Sequence, residues 1–169
     1  RLCLIQMSSG NNICHLIKLE NNAPKPKNLI KILNNRKILK IFHYARFDVA
    51  ILKSTFKIDI KNIYCTKIAS KLTRTFTDKH GYKDLCKDLL NKQISKTEQT
   101  TDWGSKKLTQ AQKKYAATDV LYLHKIKIEL DKKLIREKRV KLAQACFNFI
   151  NIRAELDLLG WSEQDIFKH

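Results

Sequence analysis

The chain has 169 residues, enough for one domain with a buried core. Its balance of 43% hydrophobic and 30% charged residues excludes a disordered or membrane-spanning protein. Lys and Arg total 34 against 16 acids, and the resulting net charge of +18 favours polyanionic partners, nucleic acid first among them. A Lys-, Asn- and Ile-rich composition is the plainer account of the same charge, so charge sets the class of partner and says nothing about chemistry.

The opening residues read as two strands joined by a turn. Residues 2–7 are apolar, Ser8-Ser9-Gly10-Asn11-Asn12 is turn chemistry, and residues 13–19 are rich in β-formers. The segment Arg1–Met7 is too short and too polar afterwards for a signal peptide. Pro24 and Pro26 break the chain, and Asn28 is placed to cap a short helix to Leu33 with Leu29, Ile30, Ile32 and Leu33 on its apolar face. Residues 38–42 read as a compact strand. Residues 45–56 then take a helical period through Phe47, Ala50, Ile51 and Leu52.

Residues 60–64 are predicted as a strand, 66–72 as a helix, and the polar stretch 73–80 as a surface loop. A helix over 82–90 carries Leu85, Leu89 and Leu90, and residues 91–107 form a second polar loop holding Thr101-Asp102-Trp103-Gly104. From Leu108 to about Gly160 the chain reads as helices. Strands interleaved with helices, followed by helices alone, predict one α/β domain over residues 1–169 with a helical C-terminal portion. The longest apolar runs fall far short of the roughly 18 residues that cross a bilayer.

Five widely spaced cysteines, without a Cys-x-x-Cys pair, suggest neither a zinc site nor a disulfide framework. They read as buried thiols in a reducing, cytoplasmic setting.

Two segments carry candidate chemistry. Thr109 and Gln112 fit a capping box opening a helix. On it Tyr115 and Asp119 stand at i and i+4 on one face, with Ala116, Ala117, Val120, Leu121 and Leu123 toward the core. A phenol and a carboxylate so placed could hold a divalent cation and orient its water, or simply share a hydrogen bond on a solvated surface. In the second segment, His43-Tyr44-Ala45-Arg46-Phe47-Asp48, a strand runs into a helix and puts Asp48 in the first turn. There the macrodipole favours the ionised form, at the strand end where α/β sheets place ligands. A plain first-turn acid fits the same pattern, and His43 and Arg46 read equally as packing residues or substrate contacts.

Taken in order, these segments resemble the ribonuclease D branch of the DEDD 3′-5′ exonucleases. Tyr115-x-x-x-Asp119 is similar to that branch's third motif, which has Tyr in place of His, and residues 95–103 look like its lead-in. His43-x-x-x-x-Asp48 is similar to the second motif, Leu2–Gln6 to the second strand, and Tyr64–Ser70 to the helix that follows. The resemblance implies an RNase H-like α/β fold, a mixed sheet flanked by helices, and hydrolysis of RNA from single-stranded 3′ ends, as in tRNA-precursor processing. It also implies two Mg²⁺ or Mn²⁺ ions. Asp119 would ligate one metal, Asp48 the other, and Tyr115 would position the water. His43, Arg46, Lys67, Arg74, Lys79 and His80 would meet the phosphates.

The family's first motif, an Asp-x-Glu on a preceding strand, has no counterpart, since no acid occurs before Glu20. The first strand is therefore expected to be missing, with only two of four carboxylates present and catalysis impaired. A catalytically inactive nucleic-acid-binding remnant is the competing reading; a basic ribosome-associated protein fits the motifs poorly. About twenty residues follow the helices near 134–150, too few for the helical RNA-binding domain that many members carry at the C-terminus.

Overall fold

The computed structural model describes residues 2–20, 24–94, 103–105 and 107–168. Strands β1 (Leu4–Met7) and β2 (His15–Lys18) pair antiparallel, with Leu4 opposite Lys18 and Met7 opposite His15. Gly10 turns the chain between them at φ 87°, a conformation that Cβ-bearing residues resist. Helix α1 (Lys27–Asn34) follows, and here Pro26 stands at the cap position in place of the expected Asn28. The proline ring presets φ, and its carbonyl accepts from Ile30 N–H at 3.0 Å, so the turn starts without a side-chain cap.

Strand β3 (Lys40–Phe42) runs parallel to β4 (Ile63–Cys65), and helix α2 (Ala45–Phe56) connects them. The predicted strand over 38–42 is shortened at its start. Ile38 and Leu39 are exposed while Lys40 is buried, its Nζ donating to the carbonyls of Asn35 (2.6 Å) and Ile38 (2.8 Å). Helix α2 also turns a different face inward: Ala45, Val49, Leu52 and Phe56 are buried, whereas Phe47 is 65% exposed. The second half of the sheet starts later than predicted, at Ile63.

Helices α3 (Thr66–Thr73) and α4 (Tyr82–Leu90) come next, then α5 (Gln110–Leu121), α6 (Leu123–Arg136) and α7 (Val140–Leu158). The core joins α2, α3, α4, α6 and α7 around β4 through Val49, Leu52, Ala69, Leu85, Ile126, Leu130 and Phe147. This is a mixed α/β architecture with helices packed on the strands. Among the described residues the sheet is split into two separate pairs, β1–β2 and β3–β4.

Candidate active site

The gap between the two strand pairs is a cavity of about 1280 Å³, bordered by β1 and Met7–Ser9 on one side and residues 38–42 on the other. His43, Asp48, Tyr82, Asp84, Tyr115 and Asp119 border it as well. The cavity thus brings the residues of both sequence motifs together, although they belong to different helices.

Each carboxylate reaches the cavity for a local reason. Asp48 lies in the first turn of α2, directly after β3 ends. Tyr44, in the left-handed region at φ 67°, turns the chain into that helix. Asp119 stands on α5, whose capping box forms as expected: Thr109 Oγ1 accepts from Gln112 N–H at 3.1 Å, and Gln112 Oε1 accepts from Thr109 N–H at 2.8 Å. Gln112 and Ala116 take the buried side of α5, with Ala117, Val120 and Leu121 only half-buried.

Burial dominates the electrostatics. It pushes Asp48 up to about 7, opposed only by a backbone hydrogen bond. Burial also raises Asp119 to about 6, with Lys83 pulling the other way. The Tyr115 phenol is raised, first by burial and then by the Asp119 charge, and its ring lies 5.9 Å from that of Trp103. His43 is pushed down to about 4, chiefly by burial and secondarily by Lys67. Thr66 Oγ1 donates to Phe42 O (3.2 Å), so the 2.9 Å contact with His43 assigns the donor proton to Nδ1 of a neutral ring.

Two half-buried carboxylates whose raised pKa values have desolvation as their leading cause match the oxygen donors a hard divalent cation takes. Their number is small. Among the described residues no three His, Cys, Asp or Glu side chains converge on one ion position. Asp84 borders the cavity in the first turn of α4, but its Oδ2 lies over Gly81 at the start of that helix.

The expected phosphate contacts divide. Lys67 is half-buried, its Nζ 3.7 Å from the centre of the partly exposed Tyr44 ring. Arg46 instead ties α2 to α7, with Nε 2.5 Å from Asp157 Oδ2 and Nη2 donating to Ser162 O at 2.5 Å. Arg74 and His80, expected on a surface loop, are interior at 2% and 9% exposure. Arg74 pairs with Asp88 and donates to Lys79 O at 2.8 Å, and His80 Nδ1 lies 2.8 Å from Ser70 Oγ. These bonds close the 74–80 segment onto α3 and α4, because a buried guanidinium needs its anion and acceptors. Lys79 itself is exposed beside them. Most of the lead-in, residues 95–102, lies outside the described residues.

Sequence reasoning missed Tyr82, which borders the cavity and packs edge-on against His43 at 5.7 Å between ring centres. It reads as the first residue of a helix, and no periodicity marks it.

A family model described as a 3′-5′ exonuclease matches residues 1–135. Ribonuclease D of Bartonella henselae is 29% identical over 139 residues, and that of Granulibacter bethesdensis 31% over 139 residues. These alignments cover 82% of this chain, which spans about a third of the length of the curated relatives it matches (34% and 35%). The structure of Brucella melitensis NrnC with bound Mg²⁺ superimposes with a TM-score of 0.95 at 50% identity, over 100% of this chain and 82% of that one. Escherichia coli RNase D shares the fold at a TM-score of 0.79 and 24% identity, over 90% of this chain and 40% of that one. The match over residues 1–135 and the ordered motifs that meet at one cavity place the chain in the 3′-5′ exonuclease family, on its ribonuclease D branch.

Proposed function

We propose that the chain removes nucleotides from the 3′ end of single-stranded RNA by hydrolysis, using a pair of divalent cations. The observation that carries this reading is the convergence of Asp48, Tyr115 and Asp119 on one cavity from helices α2 and α5. Bound Mg²⁺ or Mn²⁺ would neutralise the scissile phosphate and lower the pKa of the attacking water. Asp119 would hold one ion position and Asp48 the other. Tyr115, one turn before Asp119, would orient the water through its phenol. Lys67 beside the exposed Tyr44 and Phe47 rings offers a cation and aromatic faces to single-stranded nucleic acid, with Lys79 adding surface charge.

Within the family reading, tRNA-precursor trimming is one substrate and a short oligonucleotide another. The second has specific support. NrnC from Brucella melitensis, 51% identical over this whole chain, has a structure bound to pGG. Dinucleotide-sized RNA is therefore the first substrate to assay.

A second reading rests on charge balance. Asp48 and Asp119 offer −2 against the +4 of two dications, so we infer weak metal retention and low turnover by these 169 residues, with RNA binding kept. One assay separates the readings: 5′-labelled RNA with a 3′-hydroxyl is incubated with the chain and increasing Mn²⁺. Progressive 3′ trimming that disappears in Asp119→Ala supports the enzyme; RNA binding with no metal-dependent trimming supports the second reading. Trimming that survives Asp119→Ala overturns the site assignment.

A further inference from the structure

The boundary between α5 and α6 has a specific cause. In an uninterrupted helix the N–H of Tyr122 would donate to the carbonyl of Thr118, four residues earlier. Here that N–H is shared between Val120 O and Tyr82 Oη (3.3 Å to the phenol), and Tyr82 Oη donates to Thr118 O at 2.6 Å. The phenol is inserted into the hydrogen-bond ladder, which is one of the recognised causes of a helix kink. Tyr122 adopts φ −100° and ψ −3°, and the chain restarts as α6 at Leu123.

Asp119 lies inside the turn that this phenol spans. The Tyr82 ring also packs edge-on against His43, which follows β3 and is held by Thr66 at the start of α3. One side chain on α4 therefore touches both halves of the candidate site: the His43 segment leading to Asp48, and the α5 turn carrying Asp119. Burial raises the Tyr82 phenol well above its usual range, so it remains a neutral donor and acceptor, as the insertion requires.

We propose that Tyr82 is a positioning residue: its inserted hydroxyl sets the kink that aims Asp119 into the cavity, and its ring fixes His43 against the opposite wall. This rests on the exonuclease reading, since it gives Asp119 a cation to meet. Without the hydroxyl, Tyr122 N–H and Thr118 O regain each other as natural partners. The α5–α6 turn then tightens and Asp119 is re-aimed, with little loss of core packing.

The test compares Tyr82→Phe with Tyr64→Phe in the full chain. Tyr64 also donates a phenolic hydrogen bond to α6, to Asp131 at 2.9 Å, but does not border the cavity. Mn²⁺ affinity is measured by water-proton relaxation, without any turnover. Tyr82→Phe is expected to weaken Mn²⁺ binding about ten-fold, the size typical of losing a residue that orients a metal ligand. Tyr64→Phe should keep wild-type affinity, and the Tyr122 amide should exchange more slowly in Tyr82→Phe as the helical bond forms. Unchanged Mn²⁺ affinity in Tyr82→Phe, or an equal loss in Tyr64→Phe, overturns the proposal. Asp119→Ala tells the two failures apart: if it too binds Mn²⁺ normally, the exonuclease reading fails; if it alone loses the ion, only the role of Tyr82 does.

Discussion

Asp48 and Asp119 border one cavity from two helices that meet only through the tertiary fold, and burial raises both above the ordinary carboxylate range, to about 7 and about 6. Both carboxyl groups therefore keep a proton to higher pH than an ordinary aspartate, and a bound cation would favour their ionised form.

The first prediction concerns pH. A carboxyl raised in the fold stays protonated while its unfolded counterpart ionises. The stability it contributes is complete below the ordinary value of 3.8 and is lost as pH rises to about 7 for Asp48. In EDTA, Asp48→Asn should gain stability relative to wild type steadily between pH 4 and 7, then level off. His43, shifted downward, loses stability in the opposite direction as pH falls below its ordinary value of 6.5, but it is common to both proteins and cancels in the difference. Urea unfolding across that range checks the slope; a flat difference would show that Asp48 is not desolvated.

Tyr115→Phe keeps the ring beside Trp103 and removes only the hydroxyl that would orient the water. In whatever metal-dependent trimming the chain shows, kcat should fall about 100-fold with KM for RNA little changed, a size at the lower end for lost proton-transfer or water-positioning groups. Steady-state kinetics on a short 3′-hydroxyl RNA measure the split.

The basic residues should separate by location. Lys67→Ala is expected to lower the salt-dependence slope of RNA binding by about 1, as loss of one phosphate contact does. Asp88→Ala should leave that slope unchanged but cost about 3 kcal/mol of stability, because it strips the buried Arg74 of its anion. That figure is taken at the lower end because the Asp88 side chain is 40% exposed. Binding isotherms at several salt concentrations and denaturant melts of both variants read the two effects.

Gly10→Ala should destabilise the wall of the cavity. At φ 87° an added Cβ is strained, and it would sit 3.0 Å from the His124 ring. A loss of about 1 kcal/mol or more is expected from the conformation alone. Thermal melts and the chemical shifts of His124 report it.

The sequence by itself determined the element order, the capping box at Thr109 and Gln112, and the family, because these depend on local periodicity and on motifs within short windows. It also placed Asp48 in the first turn of α2 and Tyr115 one turn before Asp119 on α5, since helical spacing and the strand-to-helix junction are local properties. Only the tertiary structure decided which basic residues stay at the surface. A loop rich in charge reads as solvated, yet Arg74 is interior because Asp88, on a different helix, neutralises it. The same holds for the face of α2: Phe47 matches a helical period as well as Val49 does, and packing against α7 and β4 selects Val49. The break at Tyr122 was invisible for the same reason. It is made by the hydroxyl of Tyr82, forty positions earlier in the chain, entering a helix whose own sequence calls for no interruption.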